Sequence, residues 1–80
     1  MKNSTKNTAI EQFVIEKVKQ FRLKAGISQA ELAFRIGVSL SFIGSVESYN
    51  APSKYNLNHL NKFAEIFNCS PKDFFPETKL

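Results

Sequence analysis

The segment from Ser28 to Glu47, SQAELAFRIGVSLSFIGSVE, constrains the fold of this chain more than any other segment. Ala33 lies midway along a first predicted helix, where a second helix that crosses closely leaves no room for a longer side chain. Gly37 follows at the end of that helix, where a tight turn calls for a positive φ. The apolar residues that would hold the second helix against the protein body are Val38, Ile43 and Val46. The segment therefore predicts two short crossed helices, and the second presents its outer side to solvent.

Two capping boxes mark the starts of the first two helices. In each box a Thr or Ser precedes a Glu by three positions, so that each side chain satisfies a backbone N–H at the helix start. Helix one is expected to end at Gly26 and helix two at Gly37. Ser39 is expected to cap helix three, which we predict to run to about Tyr49. The two boxes are Thr8 with Glu11 and Ser28 with Glu31.

Two more helices are predicted in the second half of the chain. Residues 50–55 contain a proline and no periodic pattern, so they are expected to form a loop. Asn56 is expected to cap helix four, and Ser70, with Pro71 at the first helical position, a short helix five that Pro76 closes. Apolar residues recur at helical spacing in helices one, two and four. They are Ile10, Val14, Val18, Phe21 and Ala25; Leu32, Ala33 and Ile36; and Leu57, Leu60, Phe63, Ala64 and Phe67.

These elements predict an all-α, compact five-helix domain without strands or internal repeats. We expect the domain to span residues 8–76, between a flexible polar tail, residues 1–7, and a fraying tail, residues 77–80. A chain of 80 residues buries enough apolar surface for one small domain but does not enclose a deep substrate cavity. A binding module is therefore favoured over an enzyme.

The charge of the chain favours a polyanionic partner such as DNA. The formal net charge is +4 and the sequence pI is about 9.4, although the same charge also serves solubility. Between Ala25 and Asn50 the only charged residues are Arg35, Glu31 and Glu47, so the exposed helix itself is not basic. Most of the basic residues precede Ala25: Lys2, Lys6, Lys17, Lys19, Arg22 and Lys24.

The residue inventory argues against catalysis, cofactors and metal binding. A nucleophile with a general base needs a His near a Ser or Cys, yet His59 is the only histidine and is expected on the exposed or flanking side of helix four. One Cys, Cys69, with one His does not make a closed metal site. The glycine and lysine spacing does not match a nucleotide phosphate loop. With no disulfide, no long apolar run and no signal-peptide core, the expectation is a cytoplasmic protein that does not enter a membrane.

The predicted helix order resembles the DNA-binding domain of the phage repressor and Cro family, also called the XRE type, over about residues 10–76. The resemblance rests on the SQAELA opening, Gly37, the pair Ile43 and Val46, Glu47 and the final SPKDFF. It implies a helix-turn-helix formed by helices two and three. It also implies a small transcriptional regulator, repressor-like, that binds double-stranded DNA as a homodimer over two half-sites.

The resemblance also implies roles for individual residues. Gln29 matches the Gln that contacts the DNA backbone at the start of helix two, and Arg22 and Glu47 match a partly buried ion pair. By position the recognition helix, about residues 39–49, would place its exposed face in the major groove: Ser39, Leu40, Ser41, Phe42, Gly44, Ser45 and Ser48. That face carries no Arg, Lys, Asn or Gln, the residues that recognise bases bidentately. Shape and phosphate contacts are therefore expected to supply much of the affinity, and the candidate backbone contacts beside these helices are Lys24, Lys54, Tyr55 and Asn56.

Three roles for Leu40 and Phe42 stay open at the level of sequence. Leu40 and Phe42 contact thymine methyl groups, dock a protein partner, or turn into the core. If they dock a partner, the protein is a non-enzymatic interaction module, for instance an antitoxin or accessory subunit. Dimerisation is expected to use the apolar residues near the C-terminus: Phe74, Phe75 and Leu80.

Overall fold

The computed structural model of the chain describes residues 7–49 and 52–80. Over these residues four α-helices follow one another, and a 3-10 helix follows the last of them. We name the α-helices α1 (Ala9–Lys24), α2 (Gln29–Ile36), α3 (Leu40–Glu47) and α4 (Leu57–Phe67); the 3-10 helix is Pro71–Phe74. Within the described residues the structure contains no strand. The all-α helix-turn-helix arrangement is therefore confirmed, with four α-helices where five were expected.

The expected fifth helix is only one 3-10 turn, and the reason is local. Ser70 caps this helix as predicted, with Pro71 at its first position, and forms a capping box with Asp73. However, Phe75 adopts an extended backbone, with φ −105° and ψ 152°. Pro76 follows directly, and a residue before proline is sterically driven out of the α region. The helix therefore ends before a full α-helical turn can continue.

The predicted starts of the helices agree with the structure. Thr8, Ser28, Ser39 and Asn56 are the N-caps of α1 to α4, and each side chain accepts a backbone N–H three residues later. Helix α3 ends at Glu47 rather than at about Tyr49. The reason is that Tyr49 has a φ of +68°, which lies in the left-handed region and cannot continue a right-handed helix.

The turn between α2 and α3 has the predicted glycine geometry. Gly37 has a φ of +78°, and its N–H donates to the Ala33 carbonyl at 2.9 Å. The Val38 N–H donates to the same carbonyl at 3.0 Å. Because glycine reaches this backbone conformation without steric cost, the chain reverses within two residues and starts α3 at once.

One core joins all the helices. Ala33 lies at its centre with 2% of its surface exposed, as expected for the crossing of α2 and α3. Phe21 packs edge-on against Phe74 and tilted against Phe67, which ties α1 to the end of the chain. The buried core residues are Val14, Val18, Leu32, Ala33, Ile36, Ile43, Leu60, Phe63, Ala64 and Phe74.

Three residues expected on apolar stripes lie at the surface instead. Leu57 is 76% exposed and Ile10 is 43% exposed; Ala25, the C-cap of α1, is also exposed. Each lies at the end of its helix, where the stripe extends past the neighbouring helices. The predicted tail at residues 1–7, except Asn7, and the first two residues of the predicted loop lie outside the described residues. The domain boundaries at residues 8 and 76 stay predictions.

Candidate nucleic-acid interface

The start of α2 presents backbone donors and one side-chain amide. The Ser28 hydroxyl accepts the Glu31 N–H at 3.0 Å. The N–H groups of the first helical residues have no acceptor within the helix, as at any helix start. Gln29 is the first residue of α2, and its side-chain nitrogen Nε2 donates to Glu47 Oε1 at 2.9 Å. This end of α2 is therefore suited to an anion such as a phosphate.

The leading end of α3 carries the exposed side chains. Ser39 accepts the Phe42 N–H at 3.0 Å, so its hydroxyl is already used as the helix cap. Leu40 is 53% exposed. Ser41 is exposed too, and its hydroxyl lies 3.2 Å from that of Ser39. Leu40 and Ser41 are thus exposed residues of the first turn of α3, as expected for base contacts.

Phe42 and Ser45 occupy different surroundings from those expected. Phe42 is half-buried, with its ring 5.2 Å from the His59 ring and 6.0 Å from the Tyr55 ring. Of the three alternatives for Phe42, the structure therefore has packing against the core. Ser45 is half-buried, and its carbonyl accepts the Ser48 hydroxyl at 2.7 Å. The exposed area of α3 is accordingly smaller than its helical position predicted.

A buried ion pair joins the ends of α1 and α3. Arg22 donates from Nε and Nη2 to the two carboxylate oxygens of Glu47, each at 2.9 Å. Its Nη1 donates to the carbonyl of Ile27 at 2.9 Å. The exposed fractions of the two side chains are 9% for Arg22 and 3% for Glu47. Glu47 is the only carboxylate of α3, and this pairing removes its charge from the outer surface of the helix.

The residues that precede α4 are largely engaged within the protein. Lys54 donates to Glu11 Oε1 at 2.9 Å. This hydrogen bond is the largest cause of the lowered Glu11 pKa, and the hydrogen bond from the Thr8 backbone is the next largest. Asn56 is the N-cap of α4 and takes part in a capping box with His59. Asn56 thus caps α4 as predicted, whereas the pairing of Lys54 with Glu11 was not indicated by the sequence. Lys24 is exposed at the last position of α1.

Tyr55 is a core-facing residue rather than an exposed one. Its ring lies 4.8 Å from the Phe63 ring, in an edge-on arrangement. Its hydroxyl is buried and has no hydrogen-bond partner among the described residues. Burial, and next the nearby Glu47 charge, raise the pKa of Tyr55 well above its ordinary value of 10.0. The Tyr55 ring therefore packs between the core and the Phe42 ring.

Two residues beside α3 were not identified from the sequence. Tyr49 donates its hydroxyl to Glu16, and the Lys19 ammonium lies 5.7 Å from the centre of the Tyr49 ring. Burial, and then Glu16, raise the Tyr49 pKa to about 12. Lys62 of α4 donates from Nζ to the Ile36 carbonyl at 3.4 Å, next to the turn that starts α3. No local pattern predicts these contacts, because each joins residues far apart in the chain.

A family comparison assigns this arrangement. The model of a helix-turn-helix family, described as Helix-turn-helix, matches residues 18–74, which is most of the chain. The chain belongs to this family. It is an XRE-type helix-turn-helix protein, a member of a family of DNA-binding transcription regulators. The helix-turn-helix is α2, the Gly37 turn and α3.

Two solved regulators resemble this helix-turn-helix protein. The restriction-modification controller protein C.AhdI from Aeromonas hydrophila shares 27% identity at a TM-score of 0.66, over 78% of this chain and 91% of that one. The biofilm master regulator SinR, solved in complex with DNA, shares 26% identity at a TM-score of 0.65, over 76% of this chain and 95% of that one. SinR has also been solved in a complex with the protein SinI. No curated protein was found to match the chain.

One enzyme contains a domain of the same fold. Hydroxypropylphosphonic acid epoxidase from S. wedmorenis has 18% identity and a TM-score of 0.76, and the match covers 91% of this chain but 38% of the enzyme. At this identity the likeness shows the fold alone.

In the part of this chain that the structure describes, no three His, Cys, Asp or Glu side chains are grouped as metal ligands. No helix among the described residues is long and apolar enough to cross a membrane.

Proposed function

We propose that this protein binds double-stranded DNA in the cytoplasm as a small, sequence-specific transcriptional regulator of the repressor type, with α3 in the major groove. The observation that carries the proposal is that the outer side of α3 is exposed and bears no exposed carboxylate. Leu40 and Ser41 project from it, and the single carboxylate of the helix, Glu47, is buried in its pair with Arg22. No like charge on α3 therefore opposes a phosphate backbone.

Contacts to the DNA backbone come from the start of α2 and from lysines near it. The N–H groups at the start of α2 and the Gln29 amide take one phosphate. Lys62 lies beside the turn that leads into α3 and supplies a positive charge that α3 lacks. Lys54 contributes less than the sequence suggested, because Glu11 already pairs with it. The salt dependence of binding is therefore set by few lysines.

Direct recognition of bases falls to the first turn of α3. Ser41 donates to or accepts from a base edge, and Leu40 contacts a thymine methyl group. These are weak determinants compared with a bidentate Arg or Gln, so we propose that DNA shape contributes to the choice of site.

Selection of bound sequences from random duplexes at two salt concentrations tests the proposal. The expected result is a two-fold symmetric site whose retention falls as the salt concentration rises. Ser41→Ala should change the selected sequence, whereas Ser48→Ala should not, because Ser48 is the C-cap of α3 and its hydroxyl donates to the Ser45 carbonyl. If no duplex is retained at low salt, the proposal is wrong.

Pairing into a homodimer is part of this proposal, through a surface that keeps Phe75, one of the three residues first expected there, but not Phe74. Phe74 is 0% exposed and belongs to the core, so it is not available to a second copy. Ile10, Leu57 and Phe75 are exposed and line one apolar cleft of about 200 Å³ between α1 and α4. Leu57→Glu should reduce dimerisation in sedimentation experiments. Leu23→Glu, at a leucine that is 59% exposed at the end of α1, is the matched control and should have no effect.

A protein partner on α3 is the second candidate function. It is favoured by the exposure of Leu40 at a position that no Lys or Arg of α3 accompanies. The complex of SinR with SinI shows that a structure similar to this one is found with a protein partner. In this alternative Leu40→Ala would abolish capture of a partner while leaving duplex binding unchanged. Under the DNA proposal the same change lowers the preference for the selected site.

A further inference from the structure

Glu47 makes hydrogen bonds to side chains from two different helices. Its Oε1 accepts from Arg22 Nη2 at the end of α1 and from Gln29 Nε2 at the start of α2, both at 2.9 Å. The Gln29 amide is therefore fixed at one of its two N–H groups. The other N–H of the same planar group points away from Glu47, because the two hydrogens of an amide diverge from the nitrogen.

We propose that Glu47 is a positioning residue for DNA binding, which holds the Gln29 amide with its second N–H directed at a backbone phosphate. The inference rests on the proposed DNA-binding function and adds a residue to it that never touches DNA. A flexible glutamine loses rotamer freedom when it binds. If the folded protein already holds the side chain in place, the loss of side-chain conformational entropy occurs on folding and not on binding.

The buried pair makes this use of a carboxylate compatible with DNA. A free carboxylate near the start of α2 would repel the phosphate that Gln29 is meant to contact. Arg22 neutralises Glu47 through two hydrogen bonds, and its third donor group is tied to the carbonyl of Ile27. The carboxylate is thus fixed in position and paired, and it offers Gln29 an acceptor without adding net charge to the surface.

The orientation of the amide follows from its neighbours. If Oε1 and Nε2 of Gln29 exchanged places, Oε1 would lie against a Glu47 oxygen and repel it. The carbonyl side instead faces Gly44 of α3, where a Cβ would lie 3.8 Å from Gln29 Oε1. The amide is therefore packed between the two helices of the helix-turn-helix, with its orientation set by Glu47.

A double-mutant cycle on duplex affinity tests the role of Glu47. In the natural protein Gln29→Ala should weaken binding about tenfold for selected and unselected duplexes alike, as expected for a hydrogen bond to a charged group. The second background is Arg22→Met with Glu47→Leu, which removes both charges together and so leaves no buried charge unpaired. There, Gln29→Ala should change affinity less than about twofold, because the amide is no longer oriented. Gln20→Ala, at an exposed glutamine of α1, should have no effect in either background.

The two side-chain amide protons of Gln29 give a second measurement that needs no substitution. In NMR spectra of the ¹⁵N-labelled protein, the proton that faces Glu47 should exchange slowly with and without duplex. The other should exchange fast in the free protein and shift on addition of duplex. Loss of protection at the first proton on binding would show that Gln29 leaves Glu47, and would overturn the inference.

The failures of the two proposals are distinguishable. If the natural protein retains no duplex at low salt, DNA binding itself is wrong. If it retains duplex, but Gln29→Ala binds as tightly as the natural protein while its unfolding midpoint falls, Gln29 and Glu47 serve stability only. If Gln29→Ala costs the same affinity in both backgrounds, Gln29 contacts DNA without help from Glu47, and the inference is also wrong.

Discussion

Arg22 and Glu47 lie at the ends of two helices separated in sequence by the whole of α2, and each carboxylate oxygen of Glu47 accepts one guanidinium N–H at 2.9 Å. The pair is almost fully shielded from solvent. The pair therefore holds the end of α3 against α1. Through the hydrogen bond from Gln29 it also holds the start of α2 against the end of α3.

Removing one partner of this pair should be costly. Glu47→Ala leaves the Arg22 guanidinium buried without its counter-charge, and we expect a loss of about 3–5 kcal/mol in the free energy of unfolding. Replacing both residues by Met and Leu should cost much less. Denaturant unfolding measures both. The control is Glu31→Ala, which breaks an exposed pair with Arg35 and should cost less than about 1 kcal/mol. Equal effects of Glu47→Ala and Glu31→Ala would contradict the buried pair.

Alanine substitutions at two glycines of the helix-turn-helix should have opposite effects. Gly37 has a φ of +78° and open space where a Cβ would lie, so Gly37→Ala should destabilise by about 1–2 kcal/mol through backbone strain alone. Gly44 lies inside α3, and its Cβ would make an ordinary contact with Gln29. Gly44→Ala should therefore stabilise by up to about 1 kcal/mol. Thermal unfolding of the two variants measures the difference, and a shift of both midpoints in one direction would count against this account.

Stability should fall on mild acidification because of His59. Its Nδ1 accepts the Asn56 N–H at 3.1 Å, which requires the neutral ring. Burial first, and the Lys62 charge second, lower the His59 pKa from 6.5. As the pH falls, His59 takes up a proton in the unfolded chain before it does so in the folded protein. The contribution of His59 to the free energy of unfolding is therefore complete above pH 6.5 and is lost as the pH falls through the lowered pKa of the folded state.

Urea unfolding midpoints between about pH 7.5 and 5.5 measure this effect, since carboxylates stay ionised over that range. His59→Gln is the matched control, because Gln at this position preserves a capping box without titrating. Its midpoint should not change with pH. A pH dependence as large as that of the natural protein would rule His59 out as the source.

Two adjacent phenylalanines should differ sharply in their effect on stability. Phe74 is fully buried and packs against Phe21 and Phe67, so Phe74→Ala should cost about 3–5 kcal/mol. Phe75 is 38% exposed, and Phe75→Ala should cost less than about 1.5 kcal/mol in the monomer. Denaturant unfolding at low protein concentration separates the two. Similar losses would mean that Phe75 is part of the core.

Local sequence patterns predicted the helix starts because the chemistry of a cap is local. Ser28 and Asn56 satisfy N–H groups three residues away, and such a contact depends on nothing else in the fold. Helix ends were predicted less well. Pro76 explains why the 3-10 helix stops, but the left-handed conformation of Tyr49 accompanies its contacts with Glu16 and Lys19 of α1, which no local pattern contains.

The sequence predicted the segment that forms α3, but not the surroundings of each of its side chains. Leu40 and Phe42 are similar in apolar character and both belong to α3, yet Leu40 is exposed while Phe42 packs between Tyr55 and His59. Lys54 was expected beside DNA and is paired with Glu11. Each outcome depends on residues from another helix, so helical periodicity alone does not predict it.

The sequence by itself determined the starts of the helices, the turn at Gly37 and the crossing of α2 and α3 at Ala33, because these depend on backbone conformation and side-chain size at neighbouring positions. Only the tertiary structure decided which polar side chains are already engaged in hydrogen bonds or ion pairs within the protein. Glu47 holds Gln29, and Glu11 holds Lys54. These two contacts join distant residues and form only after packing has brought the helices together, so the local pattern along the chain carries no signal for them; the pair of Arg22 and Glu47 was expected only from the family resemblance.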